Sequence, residues 1–236
     1  MRKTKSNFEV DLNGENVLAN FLDTYFYAKL EIQEFFRNTP EKNNYLNNQF
    51  RGIDVTFTFN GSNFILDEKA TLYYPNGIPT FAFELSYKKD NVWRQGWFYD
   101  ETKETDYYLL AWPKRQAVKV SELKVEHFQT VEVLLISRKN LQNYLNEKYD
   151  INKQAIQVTV ENIITSKKFG KLDNIHPSSN HYYYYTEYLS ETPINLVIQK
   201  NTLKEFATFH FMIYRDKPYA QNKDNNIWLK KQFQRF

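Results

Sequence analysis

Apolar and polar residues alternate along two short runs, Asp54 to Phe59 and Ser62 to Lys69, separated by Asn60-Gly61. Alternation over this length is the signature of strands with one buried face. An Asn-Gly loop closes two such runs as a hairpin, because a type I′ turn needs φ > 0 at both central residues. The turn sets the register: Phe59 faces Ser62, Phe57 faces Phe64 and Val55 faces Leu66, with the last two pairs on one apolar face. The opposite face carries Thr56, Thr58 and Ile65. At its open end Asp54 lies across from Asp67, and Lys69 follows two residues on.

The remaining pattern predicts a mixed α/β chain. Residues 1 to 14 read as a polar lead-in ending at Asn13-Gly14. From Glu15 to about Phe36 the apolar positions recur with helical spacing, and Thr39-Pro40 stops them. An Asn-rich stretch, 41 to 51, leads into the hairpin. After it come a turn-rich loop, Tyr73 to Pro79, and strands at Thr80 to Lys88, Trp93 to Tyr99 and Tyr107 to Trp112, the last ended by Pro113. Val131 to Ile136 reads as a strand, and Ser137 caps a helix from Arg138 to Tyr149. A second strand-then-helix passage is expected at Ile194 to Ile198 and Leu203 onward, with Thr165 to Tyr188 between them as a loop. The domain expectation is a core over 1–116 and a C-terminal α/β part over 117–236 packed on it.

Composition narrows the chemistry. With 236 residues the chain can bury a full core, and the absence of cysteine removes disulfides, thiolate zinc sites, iron–sulfur clusters and cysteine nucleophiles. The basic start, Met1 to Asn7, is followed by Phe8-Glu9-Val10-Asp11 rather than an apolar run, so no secretory signal is read, and no stretch is long and apolar enough for a membrane span. A cytoplasmic protein without a membrane partner is the expectation. The net charge of +3 does not by itself imply nucleic-acid binding. The 18 Tyr and 19 Phe fit either AT-rich coding or a base-stacking surface. No phosphate-cradling glycine loop, His-Glu-x-x-His motif or serine elbow is present.

The chemistry concentrates at the hairpin's open end. Carboxylates directly opposed on paired strands stand about 5 Å apart and repel, so Asp54 and Asp67 call for positive charge. Lys69 supplies one charge. Mg²⁺, which takes one or two carboxylates together with waters and substrate phosphate, supplies more. Gly52, across from Lys69, leaves room for a substrate.

An Asp at the start of one strand, followed after a tight turn by Asp-x-Lys on the next, resembles the PD-(D/E)xK nuclease superfamily; here the residues are Ile53-Asp54 and Asp67-Glu68-Lys69, with Ile53 in place of the proline. The likeness continues through Phe81 to Tyr87, Gly96-Trp97-Phe98 and Thr105 to Tyr108, and points to a bacterial, phage or mobile-element branch. The resemblance implies a restriction-endonuclease-like mixed sheet flanked by helices, built in the order helix, three strands, helix, strand. No helix is evident between Lys69 and Tyr107, a departure from that order. It implies a Mg²⁺- or Mn²⁺-dependent nuclease in which Asp54 and Asp67 hold metal and Lys69 is catalytic. Glu84 joins them as ligand and catalytic residue if its strand pairs beside the Asp67 strand. Glu15 is the helix acid to carry over, with Asp23 second; the competing reading is a solvated carboxylate favoured by the helix dipole. Glu68, by alternation, points away and is structural.

Gln49, Arg51, Lys114 and Arg115 are candidate nucleic-acid contacts, against the plainer reading of Arg51 as a surface charge. His176 and His181 lack a ligand frame and read as loop histidines. Tyr182 to Tyr185 pack in a strand or stack bases, and the tail, Trp228 to Phe236, touches phosphate or packs as an amphipathic end. The partner implied is nucleic acid, DNA before RNA, with a second copy of the chain as a further candidate. Two rivals stand beside this reading: a catalytically inactive member acting as a nucleic-acid-binding or protein-interaction module, and a non-nuclease in which the hairpin charges form only a salt-bridge network.

Overall fold

The Asn60-Gly61 turn closes the hairpin with both residues at positive φ, 48° and 74°, in a computed structural model that describes residues 8–217 and 220–222. Along the chain the elements are α1 (Phe8–Tyr25), β1 (Gln33–Arg37), α2 (Tyr45–Arg51), β2 (Val55–Phe59), β3 (Ser62–Ala70), β4 (Thr80–Lys89), β5 (Val92–Gln95), β6 (Tyr107–Arg115) and β7 (Phe128–Ser137). They continue with α3 (Arg138–Tyr149), α4 (Lys153–Ser166), β8 (Gly170–Asn174), β9 (Tyr182–Tyr185), β10 (Ile194–Gln199), α5 (Lys200–Phe206), β11 (Ala207–Tyr214) and β12 (Ala220–Asn222). The fold is mixed α/β, of the α+β type. Among the described residues no helix is long and apolar enough to cross a membrane.

The elements form two sheets in two compact units that cross the expected boundary at 116/117. The first unit comprises Phe8–Ile78, Glu104–Arg138 and the described part of Phe206–Phe236; the second comprises Pro79–Lys103 and Lys139–Glu205. In the first, the strand order is β1-β2-β3-β6-β7-β11-β12. The hairpin register is the one its turn demands, Val55 opposite Leu66 and Phe57 opposite Phe64. β3 pairs in parallel with β6, which places Asp67 beside Tyr108, and β6 and β7 are antiparallel. One face of this sheet packs Val55, Phe57, Leu66, Leu109, Val133 and Phe211 against Leu18, Phe21 and Leu22 of α1. Each such side chain contributes about 1.5–3 kcal/mol by leaving water, so this face, which only the strand register aligns, anchors the unit.

Three expectations change here. The lead-in is helical from Phe8, with Gly14 inside α1 because a Cβ there would lie 2.7 Å from Val120 Cγ1. Close packing against the 3-10 turn Val120–Glu122 offsets the roughly 1 kcal/mol that glycine costs a helix. At the other end α1 stops at Tyr25 instead of running to Phe36; after a 3-10 turn, Tyr27–Lys29, the chain becomes β1 and pairs with β2. Apolar residues spaced for a helix also suit an irregular edge strand, and sheet pairing outweighs the local preference. The third is Pro113, which β6 passes through: its pairing with β3 ends at Ala111, so beyond that point β6 has only β7 beside it and the missing N–H removes no ladder bond on the open side.

The second unit holds the sheet β5-β4-β10-β9-β8. β4 turns into β5 through Asp90-Asn91, both at positive φ, and buries Phe81, Phe83 and Leu85 on one face. The four tyrosines form β9 against β10. α3 from Lys139 onward and α4 belong to this unit, and Asn152 caps α4 by accepting from the Ala155 N–H at 3.0 Å.

Candidate functional site

Asp54 emerges where α2 stops. Gly52, at φ 71°, ends that helix in the left-handed conformation and its N–H returns to the Asn48 and Gln49 carbonyls. The Gly52 carbonyl accepts from the buried Thr105 hydroxyl at 2.7 Å. Asp54 N–H then donates to the Leu66 carbonyl at 2.9 Å, extending the hairpin pairing to the carboxylate pair. The side chain is held as well, because Asp54 Oδ2 accepts from the Glu68 N–H at 2.8 Å. Asp67 is 4% exposed, and Lys69 Nζ donates to its Oδ1.

Electrostatics tie four groups together. Burial raises the Asp54 carboxyl to about 7, the Asp67 carboxylate raises it further within that value, and Lys69 and the Glu68 N–H oppose them. Burial works against the Lys69 charge, but Asp67, Asp54 and Glu15 outweigh it and push the ammonium above its ordinary range. Glu15, on α1, is raised by burial of its carboxyl and by Asp54, with Lys69 opposing. The residue as a whole stays exposed, so Glu15 stands at the rim of the cluster. Three carboxylates thus face one ammonium.

A raised folded-state pKa means stability that is present in acid and lost as pH rises. One unit is worth about 1.4 kcal/mol, so moving Asp54 from 3.8 to about 7 costs at most about 4 kcal/mol above pH 7, less what partial exposure screens. In metal-free buffer the urea midpoint is expected to fall between pH 4 and pH 7.5, and Asp54→Asn to flatten that fall. An unchanged slope in Asp54→Asn would assign it to other groups.

The other expected residues separate. Glu84 entered on the condition that its strand pairs beside the Asp67 strand; β4 instead pairs with β5 and β10 in the second sheet, with Glu84 opposite Asn195, because β6 takes the place next to β3. Arg115 is corrected from a nucleic-acid contact to a buried brace. It is 5% exposed, and its guanidinium donates to the carbonyls of Leu72 (2.6 and 3.0 Å), Gln116 and Val118 (both 2.8 Å). Lys114 beside it is exposed. Arg51 is paired with Glu104, and Gln49 is half-buried on α2. Asp23 binds Arg37, and Glu68 points to the core side, where Tyr27 and Arg37 hold it. His176 lies in a loop; His181 is buried, and its Nδ1 accepts from the Gln199 N–H at 3.3 Å. Residues 228–236 lie outside the described residues.

Two side chains escaped the sequence reading. Tyr108, 1% exposed, lies beside Asp67 across the parallel pair; burial raises its phenol, with Arg138 opposing and Asp67 adding to the rise. Arg138, which supplies that opposing positive charge, stands at the first position of α3. Only the partner strand identifies them, and a parallel pairing 41 residues apart leaves no local pattern.

Among the described residues no group of three or more His, Asp or Glu side chains is arranged to hold a metal by itself. Asp54 and Asp67 are nonetheless hard oxygen donors in mutual repulsion, a set that fits a Mg²⁺ completed by water and substrate. Comparison with protein-family models, with curated proteins and with solved structures finds no match.

Proposed function

We propose that the chain is a metal-dependent nuclease acting on DNA, of the PD-(D/E)xK type and of bacterial, phage or mobile-element origin. The observation that carries this reading is the convergence of Asp54, Asp67 and Lys69 at one end of the hairpin, with the carboxylates in excess of positive charge. Support also comes from the element order: a helix, three antiparallel strands and a crossover to a parallel strand, the crossover running through β4 and β5 rather than a helix.

Asp54 and Asp67 would hold the metal. When bound, Mg²⁺ acidifies a water and polarises the phosphoryl group. Lys69 would place a fixed positive charge where the phosphoryl charge develops, and its partial burial makes that charge more effective than it would be in water. Asp67 orients the ammonium, and the Glu68 N–H keeps Asp54 turned toward its partner carboxylate. Glu15 at the rim is a further acceptor for water entering the site.

The direct Lys69–Asp67 ion pair favours a second reading, an inactive nuclease-fold module whose hairpin charges satisfy one another. Incubating the protein with supercoiled, linear and single-stranded DNA and with RNA, in Mg²⁺, Mn²⁺ or EDTA, separates the two. Cleavage that needs the divalent ion and disappears in Asp67→Asn is the expected result. Metal-independent binding without cleavage on every substrate would establish the module instead.

A further inference from the structure

Large apolar side chains are exposed in the two chain segments that flank the carboxylate–lysine cluster, one before Asp54 and one after Lys69. On the α2 side Leu46 is 74% and Phe50 65% exposed, four residues apart and therefore on one face of the helix that leads into Asp54. On the other side, just after β3 and Lys69, Tyr73 is 52% and Tyr74 50% exposed. Neighbouring groups tie both segments to the cluster. Tyr73 donates its hydroxyl to Asp11, and Asp11 lies one turn before Glu15 on α1 and raises its pKa. The Tyr45 phenol, at the start of α2, is raised first by burial and then by Asp54 and Glu15.

The tyrosine side of this rim is rigidly presented. Arg115 fixes the loop twice, through its guanidinium to the Leu72 carbonyl and through its N–H to the Pro75 carbonyl at 2.9 Å. Two half-exposed rings on a braced loop lose little entropy on binding a flat partner.

Charge selects the partner's chemistry. Asp11, Glu15, Asp54 and Asp67 outnumber Lys69 and the exposed Lys114 around the rim, so a phosphate backbone alone gains little there. Binding of an intact duplex is driven mostly by phosphate contacts, and its bases are stacked out of reach. Unpaired bases, in contrast, can stack on exposed rings irrespective of sequence.

We propose that Phe50 and Tyr74, with Leu46 and Tyr73 beside them, form a base-stacking rim that selects nucleic acid with unpaired bases at the scissile position. This rests on the nuclease reading and names its substrate class: single strands, flaps or frayed ends rather than continuous duplex.

The test uses the full chain with Ca²⁺ replacing Mg²⁺ to hold back cleavage, and a labelled single-stranded 12-mer carrying 2-aminopurine beside its fully paired duplex. The single strand is expected to bind at least tenfold more tightly than the duplex, with 2-aminopurine fluorescence quenched and only a shallow dependence on salt. Phe50→Ala and Tyr74→Ala should each cost about tenfold on the single strand, far more than on duplex, while Phe50→Tyr restores both affinity and quenching. Thermal melts within about 2 °C of wild type would exclude unfolding as the cause. Equal losses on both substrates, or no loss, in a protein that still cleaves DNA in Mg²⁺ would overturn the rim and leave the nuclease standing. A wild type that neither binds nor cuts any DNA or RNA would remove both.

Discussion

Lys69→Met is expected to lower metal-dependent cleavage by about 10²–10³-fold, the loss typical of removing one preorganised charge aimed at the transition state, while Mg²⁺ binding through Asp54 and Asp67 survives. Methionine keeps most of the length of the buried stem, so packing changes little. In the apo protein Asp54, Asp67 and Glu15 lose the charge that opposes their repulsion. Apo stability should therefore fall, and saturating Mg²⁺ should recover much of the loss by binding only the folded state. Lys69→Arg is expected not to restore cleavage, since a planar guanidinium spreads its charge and cannot occupy a compact ammonium's place. Single-turnover rates and urea midpoints with and without Mg²⁺ read both effects. A Lys69→Met protein that cuts at the wild-type rate would remove this residue from the chemistry.

The hairpin was legible in the sequence because everything that specifies it is local. Asn60-Gly61 fixes the turn, the turn fixes the register, and the alternation of Val55, Phe57, Phe64 and Leu66 fixes the buried face, so Asp54, Asp67 and Lys69 fall together without reference to the rest of the chain. The bounds of α3 were legible for the same reason. Where position depends on distant partners, the local pattern was silent. Thr80 to Lys89 is a strand by its alternation, but nothing within it reveals that β10, more than about 100 residues later, is its neighbour, and the placement of Glu84 turned on that choice. Arg115 looked like a surface cation beside Lys114; its burial follows from the Leu72, Gln116 and Val118 carbonyls that a returning loop leaves without ladder partners. α4 has a local signal of its own, Asn152 as a cap followed by Ile156, Val160 and Ile163 on one face.

The hairpin's other face makes the largest stability prediction. Glu68 sits between Asp67 and Lys69 but turns to the core side, where its carboxylate accepts from Tyr27 Oη at 2.7 Å and from Arg37 Nη1 and Nη2 at 2.8 and 3.1 Å. Arg37 is fixed in turn by Asp23, with its Nε 2.8 Å from both carboxylate oxygens, and its guanidinium lies 5.5 Å from the Tyr27 ring centroid. The side chains of Arg37 and Glu68 are only 11% and 12% exposed. Removing the cation therefore strands a buried anion, and Arg37→Ala is expected to cost about 3–5 kcal/mol, the range for breaking one partner of a buried pair. Arg37→Met with Glu68→Leu should recover most of that loss, because an apolar pair needs no compensating charge. The same network supports the opposite face, since the Glu68 N–H holds Asp54 Oδ2. Cleavage should therefore drop in Arg37→Ala even at temperatures where the protein remains folded, and should return in the apolar pair if backbone placement alone is what Arg37 secures. Urea unfolding at constant m value measures the first effect, and single-turnover cleavage the second. A loss below about 1 kcal/mol in Arg37→Ala would mean that water reaches Glu68 and that the network is a surface feature rather than the support of the site.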